Sequence, residues 1–243
     1  MNNDKARTYI AELLGTFVLV FGGTTAIVAA GRAGAPVLIT VPFAFGLALL
    51  AGLYAFGEVS GGHFNPAVSL AMFLDKRLSG ADLAGYWIAQ FVGGILGAVA
   101  LLIATSQHDV ATTATKPGAG DGSAFWIELL FTTIFVLVIL QASRSDRFGT
   151  SALVAIPLAL SAIHFAAIPF SGSSVNPART FGPDLVGNTW TGVWIYFIAP
   201  PLGGAIAWAI HNFVRSAVPA PPAAVAEALR EAPAETGTAS SSG

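Results

Sequence analysis

Long apolar runs separated by short polar or glycine-rich breaks recur about six times, over Thr8–Ala30, Val37–Phe56, Leu83–Thr105, Phe125–Ser143, Thr150–Ile168 and Thr191–Val214. An α-helix needs about 20 residues to cross a ~30 Å hydrocarbon layer, so each run predicts a transmembrane helix. Two further apolar stretches, 65–74 and 176–186, are too short for this. At ~1.5 Å per residue they cover about half the layer. Each follows a Ser-Gly turn and opens on Asn-Pro, the pairing of a helix N-cap with proline at the first helical position. Both therefore read as half-helices that begin abruptly.

The two openings are copies of one another. Ser60-Gly61-Gly62-His63-Phe64-Asn65-Pro66-Ala67 returns as Ser171-Gly172-Ser173-Ser174-Val175-Asn176-Pro177-Ala178. Ala11-Glu12-Leu13-Leu14 matches Ile127-Glu128-Leu129-Leu130, Pro42-Phe43-Ala44-Phe45 matches Pro157-Leu158-Ala159-Leu160, and Tyr86 to Gly94 matches Tyr196 to Gly204. Offsets of 110 to 116 residues persist through all of these, which chance apolar similarity would not maintain. Each half holds three full spans, an odd number, so the second half enters the membrane from the opposite side. The fold class expected is an all-α membrane protein, with six transmembrane helices plus two half-helices in an inverted three-plus-three repeat. The divisions are 1–7, the first repeat at 8–105, a connection at 106–124, the second repeat at 125–214, and a tail at 215–243 rich in Pro, Ala, Glu and Ser that is expected to be disordered.

Composition sharpens this picture. The chain is 54% hydrophobic and only 10% charged, far below the roughly 25% of soluble domains. The first run exceeds a signal-peptide core and reads as a retained helix. Lys5, Arg7, Lys76, Arg77, Arg144, Arg147, Arg215 and Arg230 fall on one side of the predicted membrane, and only Arg32, Lys116 and Arg179 on the other. By the positive-inside rule both termini are cytoplasmic and the 106–124 connection is extracellular. There is no cysteine, and the four His show no ligand spacing, so no metal, cofactor or thiol chemistry is expected. No nucleophile with a positioned base points to an enzyme, and no nucleic-acid partner is expected.

Non-helical backbone at membrane depth is tolerated only where protein buries it or where it lines a watery cavity. Segments 60–64 and 171–175 are such backbone, and inversion brings their half-helices together N-terminus to N-terminus at the midplane. As N-caps, Asn65 and Asn176 use their carboxamide oxygens on their own helices and are expected to leave both NH2 groups facing a lumen. A water whose oxygen is held by two donors has its hydrogens turned outward, which breaks a proton wire. The positive ends of both half-helix dipoles disfavour cations there. Arg179 is an intramembrane charge, for which a functional role is the default. Glu12 and Glu128, placed symmetrically, are expected to hold loop N–H groups behind each half-helix, and His63 to brace the same loop.

With these features the chain resembles the aquaporins of the major intrinsic protein family, over about Ala6 to Arg215. The resemblance implies an aquaporin-like fold and a selectivity filter of Phe45, His164, Ser173 and Arg179, matching the water-selective pattern of Phe, His, small residue and Arg. It implies a passive water channel of the cell membrane that excludes protons and ions, surrounded by lipid bilayer and assembled as a homotetramer. Glycerol facilitators of the family differ at His164, usually carry Asp where this chain has Thr180, and tend to have a cation at Asp184. Ser173 and the run Thr180 to Asp184 also depart from the commonest water-channel pattern. The alternative left open is a facilitator of glycerol or another small neutral solute. A coupled transporter would need a titratable pair where this chain has two amides.

Overall fold

Hydropathy and capping chemistry translate directly into helices in the computed structural model, which describes residues 3–143 and 152–216. Among the described residues all regular structure is helical: α1 (Asn3–Ala33), α2 (Val37–Ser60), α3 (Pro66–Leu74), α4 (Gly80–Ala104), α5 (Gln107–Thr112), α6 (Asp121–Ala142), α7 (Ala152–Ser171), α8 (Pro177–Gly187) and α9 (Val193–Ser216). Six of these, α1, α2, α4, α6, α7 and α9, are long and apolar enough to cross a membrane. The short α3 and α8 start one residue after Asn65 and Asn176. Arg144, Arg147, the start of the predicted fifth span, and Arg230 with the tail beyond Ser216 lie outside the described residues.

The chain divides at His211, after a unit running from Met1 to His211. Beyond it, the described residues Asn212 to Ser216 are the closing turn of α9. Within the first unit α1 packs on α2 and α4, α2 packs on α7, and α6 packs on α7. The repeats also interlock, because α4 of the first lies along α8 of the second. One apolar core joins the halves, with Leu19, Phe45, Leu49, Phe64 and Val68 packing with Phe135, Val136, Leu160 and Val175.

The distribution of polarity is inverted relative to a protein in water. Ile103 is 82% exposed and Ile88 67%, whereas Glu12 is 0% and Arg179 3% exposed. Burial of polar groups beneath an apolar exterior fits a hydrocarbon surround, so the chain is a multi-pass membrane protein.

Polar ties fasten the helix ends. Ser79 and Ser106 cap α4 and α5 by accepting from the N–H groups of Asp82 and Asp109, each at 3.1 Å. Lys5 Nζ and Tyr9 Oη both donate to Asp82 Oδ1, at 2.7 and 2.8 Å, joining the start of α1 to α4. Arg32 Nη2 donates to Asp109 Oδ2 at 2.9 Å, joining the end of α1 to α5. The Ser106 hydroxyl, and after it Arg32, hold the Asp109 carboxyl below the usual carboxylate range.

Close approach of the full helices to the half-helices depends on glycine. Gly94 in α4 faces the Ala178 carbonyl of the second box, and Gly204 in α9 faces the Ala67 carbonyl of the first. A Cβ at Gly204 would lie 2.6 Å from the Ala67 oxygen. Gly204→Ala is therefore expected to destabilise the fold by about 1–3 kcal/mol through overpacking. Gly31→Ala, where a Cβ meets nothing within 4 Å, is expected to leave stability unchanged or raise it by up to ~1 kcal/mol. Thermal unfolding in detergent, comparing the two variants, checks this.

Candidate pore and its lining

Each half-helix begins where the backbone is forced out of extended geometry and then released. Phe64 and Val175, one residue before each asparagine, have φ of +48° and +47°. Non-glycine residues in this left-handed region carry strain and persist only when their surroundings hold them. The holding groups are the two buried glutamates. Glu12 Oε1 accepts from Ser60 Oγ at 2.7 Å and His63 N at 2.9 Å, and Oε2 from Phe64 N at 2.7 Å. Glu128 Oε1 accepts from Ser171 Oγ at 2.7 Å and Ser174 N at 2.8 Å, and Oε2 from Val175 N at 2.7 Å. Tyr86 and Tyr196 complete the symmetry, donating to the carbonyls of Ser60 and Ser171 at 2.6 and 2.7 Å.

The two braces differ in one respect. Gln90 Nε2 donates to Glu12 Oε2 and to Ser69 Oγ, both at 2.8 Å, and His63 Nδ1 lies 3.0 Å from the same Ser69 oxygen. The position matching Gln90 in the second repeat is Pro200, which has no side-chain donor. His63 thus belongs to a network that in the first repeat includes a side chain of α4.

Asn65 and Asn176 cap α3 and α8 as their sequence suggests. Asn65 Oδ1 accepts from Ala67 N at 2.9 Å, and Asn176 Oδ1 accepts from Ala178 N at 3.0 Å and Arg179 N at 3.3 Å. Their NH2 groups behave differently from expectation. Asn65 Nδ2 donates to the Val175 carbonyl at 2.8 Å, and Asn176 Nδ2 donates to the Phe64 carbonyl at 2.9 Å. Each asparagine therefore ties down the strained residue of the opposite repeat, leaving one N–H of its two for other partners. The prolines and alanines of both boxes, Pro66, Ala67, Pro177 and Ala178, are buried behind them.

Phe45 from α2, His164 from α7 and Arg179 from α8 come together beside this crossing. The rings of Phe45 and His164 are 4.8 Å apart, and Arg179 Cζ lies 4.8 Å from the Phe45 ring centroid. Arg179 Nη1 donates to the Thr113 carbonyl at 3.1 Å. Among the described residues no carboxylate forms an ion pair with Arg179, and its Nε has no hydrogen-bond partner. His164 Nδ1 lies 3.0 Å from the Leu160 carbonyl. Because a carbonyl can only accept, Nδ1 carries the proton and a neutral ring presents Nε2 as an acceptor. That Nε2 is buried and without a partner among the described residues.

A narrow cavity runs between these groups. Leu19, Leu49, Phe135 and Leu160 form its apolar wall, with Phe45 beside them. His63, Asn65, Asn176, His164 and Arg179 supply the polar side, with Ser174 and Val175 from the non-helical segment before α8. Ser173 is fully buried, at φ +50°, with its Oγ unpartnered among the described residues. The serine on the cavity wall is its neighbour Ser174. Thr113 and Ser174 escaped the sequence reading, since a backbone carbonyl has no sequence signature and Ser173 and Ser174 are chemically alike. Glu12 and Glu128 lie behind the segments rather than on the cavity wall.

One unpartnered acceptor, His164 Nε2, a few fixed donors and an apolar wall suit small uncharged polar molecules better than ions. The model of one protein family, the major intrinsic proteins, matches residues 1–211 of the chain. The chain belongs to this family. Members of the major intrinsic protein family are channels, and this chain is a membrane channel for small solutes. It is 39% identical to the glycerol uptake facilitator protein-like 6 of Lactiplantibacillus plantarum, over 83% of this chain and 94% of that protein. It is 37% identical to aquaporin Z of Photorhabdus laumondii, over 86% of this chain and 97% of that protein. Among solved structures it resembles the aquaglyceroporin from Plasmodium falciparum with a TM-score of 0.78 at 24% identity, over 87% of this chain and 97% of that one. That likeness bears on the fold.

Proposed function

We propose that the chain is a passive water channel that excludes protons and ions. The reading is carried by one observation: both box asparagines and the trio Phe45, His164 and Arg179 face a single cavity. Phe45 and His164 narrow the lumen, and Arg179 and the His164 Nε2 meet the solute with a donor and an acceptor. Ser173, next to the wall residue Ser174 and with its Oγ unpartnered among the described residues, is the fourth member of this filter. One free N–H from each asparagine binds the oxygen of a passing water and turns its hydrogens outward along the file. The half-helix N-termini, each carrying about half an elementary charge, repel cations at that desolvated point, the effect cited for aquaporin-type pores in general. Glu12, Glu128 and His63 serve the geometry of the segments and take no part in proton coupling. The channel works without catalysis, as a homotetramer in the cell membrane with both termini in the cytoplasm.

The likeness to a glycerol uptake facilitator-like protein favours glycerol as the second reading. Against it stand the ring of His164 and the guanidinium of Arg179 closing on Phe45, which leave little room for a three-carbon polyol. Proteoliposomes carrying the full chain are expected to show osmotic water permeability about tenfold or more above empty vesicles in stopped-flow light scattering, a lowering of the barrier by ~1.4 kcal/mol or more. Glycerol flux is expected to stay near background. Water flux equal to that of empty vesicles would remove the first reading, and rapid glycerol flux would install the second.

A further inference from the structure

The segment joining the two repeats meets the second box at two points. One is the Thr113 carbonyl that holds Arg179. The other begins two residues later, where Thr115 Oγ1 lies 2.8 Å from Thr180 Oγ1. Thr180 Oγ1 in turn lies 2.6 Å from Ser174 Oγ, and Ser174 Oγ donates to the Asn176 carbonyl at 2.8 Å. Thr115 and Thr180 are at most 2% exposed and off the cavity wall, so bulk water cannot replace the link between them.

The direction of this chain follows from its last member. A carbonyl only accepts, so the single Ser174 hydroxyl proton is committed to Asn176. The proton between Ser174 and Thr180 must then come from Thr180. With that proton engaged, the one between Thr180 and Thr115 must come from Thr115. The Asn176 carbonyl also accepts from Thr180 N at 3.2 Å. Thr115, which is not on the cavity wall, therefore heads a one-way file of hydroxyls that ends on the main chain of a pore asparagine. Ser174, in the middle of the file, is itself part of the cavity wall.

We propose that Thr115 and Thr180 are positioning residues for solute selectivity, fixing Ser174 and Asn176 and so the width of the pore beside the second box. The proposal rests on the reading of the chain as a water-selective pore. Removing either hydroxyl while keeping the shape leaves a buried lone pair without a donor, and the segment relaxes away from the lumen. Thr115→Val and Thr180→Val are each expected to raise the ratio of glycerol to water permeability in proteoliposomes roughly fivefold. Thr115→Ser, which restores the hydroxyl, is expected to keep the wild-type ratio. A purely structural role would lower both permeabilities in step with the amount of inserted channel and leave the ratio where it was. An unchanged or lowered ratio in the valine variants overturns the proposal. Should valine at 115 prevent insertion, Thr115→Ala gives the same readout. The wild type's own ratio tests the water-channel reading separately, since a wild type that passes glycerol freely removes that reading while the shift between wild type and variants still decides this one.

Discussion

Glu128→Ala lowers the thermal unfolding midpoint of the detergent-solubilised protein by about 10 °C, the shift expected from a loss of ~3–5 kcal/mol in a chain of this size. The carboxylate satisfies Ser171 Oγ, Ser174 N and Val175 N. Ser171 has a second acceptor in the Ala167 carbonyl at 3.4 Å. The two main-chain donors are left buried and unpaired, at about 1–3 kcal/mol each. The carboxylate also holds Val175 at φ of +47° and, through Ser171 Oγ, Ser173 at +50°, so its loss lets the segment move toward relaxed backbone. Glu128→Gln tests the chemistry separately from the volume. An amide offers one acceptor and one donor where two acceptors are needed, so the glutamine variant falls between the wild type and alanine. A midpoint unchanged in Glu128→Ala would show that the helices alone fix the segment.

Arg179→Val opens the channel to larger solutes and to protons. Two barriers fall together. The guanidinium lies over the Phe45 ring and is held by the Thr113 carbonyl, so valine both widens the passage and frees the ring. The arginine charge also disappears: at ~4 Å and an effective dielectric of ~20 it repels a unit cation by about 4 kcal/mol. The half-helix termini and the asparagine donors remain, so the gain is smaller than that figure implies. Glycerol and proton permeability are each expected to rise about tenfold, equivalent to ~1.4 kcal/mol. Stopped-flow shrinkage in glycerol and a trapped pH dye read the two. Unchanged selectivity would reduce Arg179 to a clasp on the connecting segment.

The beginnings of the half-helices were legible because they are set by local chemistry. Asparagine followed by proline supplies a cap and a first helical residue without a wasted donor, and α3 and α8 begin at Pro66 and Pro177. The ends of the long helices were less legible. The second apolar run stops near Phe56, but α2 continues through Glu58 to Ser60, until Gly61 turns to φ +86°. Hydropathy marks the hydrocarbon layer, whereas the backbone stops where a cap forms. The short α5 had a readable signal in Ser106-Gln107-His108-Asp109, a serine with an acid three residues on. The commitment of the asparagine NH2 groups was beyond local reading. Their partners are 110 and 112 residues away, and a carbonyl carries no mark in the sequence. The same holds for Thr113, whose side chain is irrelevant to its contact with Arg179.

The exchange of hydrogen bonds between Asn65 and Val175, and between Asn176 and Phe64, bears on how the chain matures as it leaves the ribosome. Residue 64 is translated more than a hundred residues before the amide that will hold its carbonyl. Until α8 arrives, the first re-entrant segment has its Glu12 brace but no partner across the midplane, and its strained carbonyl stands unclaimed. Insertion of the helices can proceed in order, one after another. Closure of the pore cannot, because each half supplies the clasp of the other, and both are made in the same late step.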